Sequence, residues 1–497
     1  MRPRFPTVKA LVLPFVVVAL VGGPLAASAS AHLSACDSSF VPGDAPNLQT
    51  RMSACPAGTT YTFATGIYHL TNDLLPKDGD KLIGAGSGAG GTRLSGSKVI
   101  TGWTKSGGLW IHTGDALKVG VMPDPCEDGT KTCDYQDWLF RDDGWLQRKL
   151  SPCTTLSTDQ FCVDYTAKKI YIGSDPTGHL FEYGTITQLF GSRYTNVTVE
   201  HLAYNDFATP GGGVSAGAGW LIDDVYGYHN HSCGIVASPS TVANPAVIEN
   251  SVFDHNGYHG YCSPSLGVKI LNNDFSYNNE LGFAHGSGLN IHGESGALVQ
   301  GNTVDDNAGT GIAIGTTNGG TPSIGVQVLG NTAVNNAGQG IRLDGSCNTL
   351  IDSNTITGNT DFAVEVFDSN TNTISNNTIV VPSDAYGGGV RIRADTASGS
   401  SACGAADDAR NNTVKGNDIT MGIVVDHGNF GNINGTVSQG GLLGNETFLA
   451  NDYHLPKGDC TVTNWLWWSG STQHVVAFSP WQSTYGLDPG PGGSCSS

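Results

Sequence analysis

The sequence predicts an all-β chain wound into a solenoid with three strands per coil. Three observations carry that prediction. An apolar-polar-apolar run closed by asparagine recurs down the second half, at Asn250, Asn273, Asn302, Asn331, Asn354 and Asn377, in steps of 23 or 29 residues. Internal self-similarity of this period is the mark of a stacked-repeat architecture. Each step also carries a Gly-apolar-x-apolar run, as in Gly288-Leu-Asn-Ile, Gly311-Ile-Ala-Ile, Gly340-Ile-Arg-Leu and Gly389-Val-Arg-Ile. Composition agrees: 69 glycines and only 13% charged residues suit tight turns and strands rather than long helices.

Each coil divides into three. One strand precedes the asparagine (residues 246–249, 268–271, 297–300 and 326–329). A second follows it (251–253, 303–304 and 355–356). The third is the Gly-apolar-x-apolar run. Period-two alternation sends the apolar side chains inward and the others outward. A tight corner leaves backbone N–H and C=O groups unpaired, and an inward asparagine amide can satisfy both. Asparagine also tolerates left-handed geometry. A second set, Asn230, Asn256, Asn307, Asn336 and Asn359, precedes the third strand by four residues. Both sets are read as scaffolding.

Around this repeat the chain divides further. Residues 1–31 read as a signal peptide, with Arg2, Arg4 and Lys9, an apolar run over 10–20, and the small-residue sites Ala27-Ser28-Ala29 and Ala29-Ser30-Ala31. That run is too short for a membrane anchor. Residues 32–98 are the N-terminal cap and first coils. Residues 99–190 lose the period, are rich in Trp and Cys, and are expected to form a β-rich insert. The parallel β-helix core spans 191–437, and an aromatic cap spans 438–497. The twelve cysteines all follow the signal, an even count that fits disulfides in an exported protein. Cys126/Cys133 and Cys153/Cys162 are the first pairs expected. No C-x-x-C pair supports a zinc ribbon.

The net charge of −19 argues against nucleic acid or an anionic membrane surface as partner, since both require basic surface. These features together resemble the right-handed parallel β-helix proteins of the pectin-lyase-like superfamily. Gly66-Ile-Tyr-His69, the asparagine corner and the Gly-Ile-x-Ile strand carry the resemblance. An early coil, an insert and a long repeat also look like secreted actinobacterial glycoside hydrolases of this fold. The resemblance implies a polysaccharide or oligosaccharide substrate and an active face on the third strands. The polygalacturonase set of Asn-Thr-Asp, Asp-Asp, Gly-His-Gly and Arg-Ile-Lys is not present. Asp223-Asp224 and Arg391-Ile-Arg393 only echo two of its elements.

Stacking the third strands by their glycine places Asn290, His292, Ala313, Gly315, Arg342, Asp344, Glu365, Phe367, Arg391 and Arg393 outward on one face. Ala313 and Gly315 should leave a dip. Glu294, Asp368 and Asp395 are expected on the rim. Glycoside hydrolysis uses two carboxyl groups about 5–9.5 Å apart. Asp344 and Glu365, on adjacent coils, are the expected catalytic pair. Asn290, His292, Arg342, Asp368, Arg391 and Arg393 are the expected substrate-binding groups, since arginine can clamp a carboxylate in two bonds. The competing structural reading is a salt ladder of Arg342, Glu365 and Arg391. No metal site is assigned. Ca²⁺ is an optional ligand at Asp305-Asp306 or Asp407-Asp408, and His229, His231, His255 and His259 could gather around a metal; surface solvation is the plainer reading of each. The leading expectation is a secreted glycoside hydrolase. A polysaccharide lyase acting on a uronate polymer is the alternative, and a non-catalytic carbohydrate-binding or adhesin-like solenoid is the third.

Overall fold

Three parallel sheets run the length of a β-solenoid. The structure is a computed structural model and describes residues 36–116, 120–122, 124–238, 240–263, 265–316, 320–382, 385, 387–393, 409–421 and 447–454, together with 465–469, 472–476, 479, 483 and 494–496. The expected signal, Asp395 and Asp407-Asp408 lie outside these residues, as does most of the expected C-terminal cap.

The first sheet stacks one strand per coil, from Thr60–Phe63 through Leu221–Tyr228, Lys269–Leu271 and Gln327–Leu329 to Thr447–Leu449. The second contains Thr303–Asp305, Thr332–Val334, Thr355–Thr357, Thr378–Val381, Asp418–Met421 and Asp452–His454. The third contains Gly212–Ala216, Cys233–Ala237, His259–Ser263, Ser287–His292, Thr310–Gly315, Ile341–Asp344, Val364–Phe367 and Val390–Arg393. The inward alternation holds: Ile312, Ile314, Ile341, Leu343, Val364 and Val366 are all fully buried. One apolar core runs from Phe40 to Tyr453. At its N-terminal end the helix Leu48–Ala54 turns Leu48 and Met52 inward and covers the first coil. Coil strands continue past residue 437, since Asp452–His454 pairs with Asp418–Met421. That region is therefore not purely a cap.

The corners are held by two asparagine ladders. In the first, the Nδ2 group of Asn273, Asn302, Asn331, Asn354, Asn377 and Asn417 each donates to the Oδ1 of the next member, at 2.8–3.1 Å, ending on Asn451. Each Oδ1 also accepts the backbone N–H of the preceding member, as Asn331 does from Asn302 at 2.9 Å. The second ladder runs Asn230, Asn256, Asn278, Asn307, Asn336, Asn359. Asn278 is an addition to the expected set. Asn250 is not a ladder member: its φ is +49°, and its amide donates to Asp223 at the surface. Ser251 takes the ladder position instead, its N–H donating to Asn273 Oδ1 at 3.0 Å. The sequence pattern there matches the left-handed corner residue, one place early.

The insert consists of two small sheets. One joins Ser97–Val99, Leu139–Arg141, Gly144–Trp145 and Phe181–Gly184. The other joins Thr104–Ser106, Leu109–Thr113, Gln147–Lys149, Gln160–Asp164 and Lys169–Ile172. Trp138, Phe140, Phe161, Ile170 and Tyr183 form its own core. A buried Arg148–Asp137 pair at 2.9 Å lies within it, with Tyr165 and Tyr183 also donating to Asp137. Among the described residues, disulfides join Cys36–Cys55, Cys126–Cys133, Cys153–Cys162 and Cys233–Cys262. The two close pairs are those expected. Cys233–Cys262 staples adjacent third-sheet strands.

Asn331→Ala would strand the Asn302 N–H, its amide donor and the Val299 carbonyl that Asn331 serves. Stranded buried groups of this kind cost about 1–3 kcal/mol each before relaxation. A loss of about 3 kcal/mol in denaturant unfolding is expected. Asn250→Gly, at an exposed left-handed corner, should stay within about 0.5 kcal/mol of wild type. Equal losses in the two variants would contradict the ladder assignment.

Candidate active site

The outward row of the third sheet is fixed by strand register. Cys262 pairs with Asn290, Asn290 with Ala313, Ala313 with Arg342, Arg342 with Glu365, and Glu365 with Arg391. Two residues further on, His292, Gly315, Asp344, Phe367 and Arg393 form a parallel row. The structure therefore brings the expected Asn290, His292, Arg342, Asp344, Glu365, Arg391 and Arg393 onto one face. Asp368 and Glu294 are not on its rim.

Glu365 is the hub of this face. It is 2% exposed. Arg393 Nε donates to it at 2.8 Å and Gln339 Nε2 at 3.3 Å, while Arg391 and Arg342 hold nitrogens at 3.6 and 3.7 Å. Asp344 differs: its side chain is 39% exposed and takes one bond, from Arg342 Nη2 at 2.7 Å. Arg342 thus lies between the two carboxylates of the expected pair. The arginines also cover aromatic rings, Arg393 at 4.1 Å from the centre of Phe367 and Arg391 at 4.7 Å from that of Phe362. Such contacts hold a guanidinium flat and steady. Burial, and after it repulsion from Arg393, pulls the Arg391 guanidinium below its ordinary value.

A third carboxyl belongs to the face. Asp361 sits at the corner before Val364–Phe367, and Gln339 Nε2 donates to it at 2.7 Å. That nitrogen also serves Glu365, so the two carboxyl groups flank one amide. Burial and then the charge of Glu365 raise the pKa of Asp361 above the usual aspartate value. Gln339 is itself held by Thr310 Oγ1, which donates to its Oε1 at 2.9 Å. Sequence reasoning missed Asp361, Gln339 and Phe362 because all three precede the alternating part of their strands.

His292 leans over Gly315. A side-chain carbon at position 315 would stand 3.1 Å from His292 Nε2. The expected dip therefore exists, and the imidazole partly occupies it. Burial draws the His292 pKa down to about 4, with Asp344 partly opposing the change. At the lower end of the face, Asn290 Nδ2 donates to His259 Nε2 at 3.0 Å, and His259 Nδ1 pairs with Ser287 Oγ at 2.8 Å. Burial takes His259 to about 3. His231 faces elsewhere and pairs with the Cys133 carbonyl of the insert at 2.8 Å. The four histidines do not share a site. Among the described residues, Asp305 and Asp306 belong to no cluster of three potential metal ligands.

Two expectations fail for one reason. Gly293 has φ +71°, and Asp368 has φ +46°. A left-handed residue ends the alternation and turns the chain. Asp368 is consequently 2% exposed, and Glu294 is fully buried inside the coil, where its Oε1 accepts from Tyr261 at 2.8 Å. Burial raises the Glu294 pKa to about 8.

A family model described as the right handed beta helix region matches residues 213–379. No curated protein matches by sequence. Among solved structures, XylC in complex with xylose is similar at 13% identity, covering 82% of this chain and 80% of that chain, with a TM-score of 0.60. The A-module of the mannuronan C-5 epimerase AlgE6 from Azotobacter vinelandii is similar at 14% identity over 85% and 92%, TM-score 0.45. The catalytic unit of a thermostable alpha-1,3-glucanase from Streptomyces thermodiastaticus is similar at 12% identity over 94% and 70%, TM-score 0.48. The chain has a right-handed parallel β-helix fold.

The buried groups set opposite pH limits. Glu294 keeps its proton longer folded than unfolded, so its contribution to stability is lost as pH rises from about 4.5 toward about 8. His231, His259 and His292 resist protonation when folded, so stability is lost as pH falls from about 6.5 toward 4 or 3. A tenfold difference in proton affinity between the folded and unfolded chain is worth about 1.4 kcal/mol at most. Glu294→Gln should therefore gain in Tm relative to wild type steadily between pH 5 and 8. Parallel Tm-against-pH curves for the two proteins would contradict the assignment.

Proposed function

We propose that this chain is a secreted carbohydrate-active enzyme, a glycoside hydrolase whose chemistry takes place on the third-sheet face. The observation that carries the reading is the set of three carboxyl groups in unlike surroundings on one surface. Asp344 is exposed and paired with Arg342, Asp361 is biased to keep its proton, and Glu365 is buried among three arginines. Carboxyl groups whose environments drive them apart are how one site supplies both acid and base. Asp361 serves as the proton donor to the leaving oxygen, and Asp344 as the carboxylate that attacks or activates water. Glu365, expected to react directly, acts instead as a positioning residue: it raises Asp361 and orders the arginines. Asn290, His292, Arg342 and Arg393 face the sugar hydroxyls, and the partly exposed Phe362 and Phe367 offer apolar surface to a sugar ring. A sugar-bound fold-mate, XylC with xylose, supports the substrate class. Disulfides and the N-terminal signal pattern support export.

A second reading draws on Arg391. A guanidinium pulled down by burial and by a neighbouring cation suits proton abstraction beside a uronate, the chemistry of a polysaccharide lyase. Lyase products carry an unsaturated uronate that absorbs in the ultraviolet, and hydrolase products do not.

On a panel of neutral and acidic oligosaccharides with products read by mass, a gain of water is expected. Asp344→Asn and Asp361→Asn should each lower kcat about 10²–10⁴-fold with Tm close to wild type. Glu365→Gln should lower both kcat and Tm, because three guanidiniums lose their common partner. Full turnover in both aspartate variants would remove the assignment, and ultraviolet-absorbing products would replace it with the lyase.

A further inference from the structure

A second polar cluster lies where the insert covers the first coils. It brings together three carboxylates from distant parts of the chain. Asp143 comes from the hairpin between Leu139–Arg141 and Gly144–Trp145, Glu182 from Phe181–Gly184, and Asp206 from the end of Thr198–Asn205. One oxygen of each lies within 4.8 Å of the others. Glu182 and Asp206 are each 1% exposed. Two hydroxyls link them: Ser97 Oγ donates to Glu182 Oε1 at 3.2 Å, and Ser95 Oγ donates to Asp206 Oδ2 at 3.3 Å, with 2.7 Å between the two serines.

The second observation is what these groups leave unsatisfied. Asp206 Oδ1 and Asp143 Oδ1 are buried atoms with no hydrogen-bond partner. Asn205 is fully buried, yet neither its Oδ1 nor its Nδ2 has a partner. Register places Asn205 between Ser95, which touches Asp206, and Tyr228, which touches the arginine beside Asp143. Interior polar atoms are almost always satisfied, and a buried amide with both ends idle is an exception that needs a cause. Charge points the same way. Arg93 Nη1 donates to Asp143 Oδ2 at 2.7 Å and neutralises one carboxylate. The His69 ring is hydrogen-bonded to the Ser97 carbonyl at 3.2 Å and stands 3.6 Å from Glu182. Among the described residues, Glu182 and Asp206 have no arginine or lysine partner of this kind, and two carboxyl groups side by side in a buried space are costly unless something pairs with them.

We propose that this cluster binds one divalent cation, Ca²⁺ by its chemistry, as a clamp between the insert and the solenoid. The donors are all hard oxygens: three carboxylates, the Asn205 amide oxygen and the Ser95 and Ser97 hydroxyls. Ca²⁺ takes 6–8 such oxygens at about 2.4 Å, so opposite ligands stand about 4.8 Å apart. The site is separate from the third-sheet face and does not depend on the reaction proposed for it.

The test compares the whole protein dialysed against EGTA with the same protein resupplied with Ca²⁺. Elemental analysis should find about one Ca²⁺ per chain, and Ca²⁺ should raise Tm by about 5 °C or more. Asp206→Asn should abolish the Ca²⁺-dependent rise, yet match or exceed the metal-free wild type in Tm, because it relieves repulsion in the empty cluster. A residue with a merely structural role would lower Tm with and without Ca²⁺. Should Asp206→Asn fail to fold, the more exposed Asp143→Asn decides, with an expected tenfold or greater weakening of Ca²⁺ binding. Absence of bound Ca²⁺ with identical Tm in both buffers would overturn the proposal, and so would an undiminished rise in these variants.

Discussion

Corner hydrogen bonding is the constraint on which the rest of this molecule depends. A parallel coil turns three times per circuit, and each turn leaves N–H and C=O groups facing inward without strand partners. The ladder asparagines meet that need in all directions at once. Asn331 accepts from the Asn302 N–H and side chain, and donates to the Val299 carbonyl and to Asn354 Oδ1. Such a bond network is satisfied at only one register. A slip of one residue would also turn every apolar side chain to solvent. Longer excursions between coils do not disturb it: Asn377 reaches Asn417 across 40 residues with the same 2.9 Å bond that closes 23-residue coils.

That register makes one polar face out of residues far apart in the chain. Successive coils place Ala313, Arg342, Glu365 and Arg391 in one line, so charge on one coil is compensated by the next. The salt ladder and the surface proposed to react are one arrangement seen from two sides. Buried Glu365 holds the arginines in place, and the same charge biases Asp361 toward its protonated form. The small residues matter as much. Gly315 admits the imidazole of His292 to the space beside Asp344, and any side chain there would push it away.

How far the sequence could be read follows from the range of each interaction. Strand alternation and the asparagine period are local, and they suffice for the fold, the shared face and all of its expected side chains among the described residues except Glu294 and Asp368. Errors begin where alternation stops. Asn250 reads as a ladder member because asparagine serves both the ladder and the left-handed corner, whereas the ladder atom is on Ser251. The rim positions expected for Glu294 and Asp368 fall where a left-handed residue turns the chain inward: Glu294 directly follows Gly293, and Asp368 is itself left-handed. Asp361 lies ahead of its strand, where no period announces it. The Asp143–Glu182–Asp206 cluster is beyond sequence reading for another reason. Its members belong to an aperiodic insert and a coil, and only tertiary packing brings them within reach.

The insert is tied to the solenoid on two sides, and this bears on the third-sheet face. On one side its Asp143 and Glu182 carboxyl groups gather with Asp206 of the first coils, and Ser97 Oγ lies 2.7 Å from Ser95 Oγ. On the other, the Cys133 carbonyl bonds His231, and Cys126 and Cys133 pack with Tyr258 and Phe283. Tyr258 in turn stacks on His259 at 3.7 Å, and His259 holds the Asn290 amide. A continuous line of packed side chains therefore joins the insert to the lower end of the third-sheet face. The insert has its own core. It also shares apolar contacts with the solenoid, where Leu281 packs against that core and Met122 and Leu281 pack against the cluster of Cys126, Cys133, Tyr258 and Phe283. The Cys126–Cys133 disulfide holds the insert segment that meets Tyr258, and through Tyr258 and His259 this packing sets the position of the Asn290 amide at the lower end of the face.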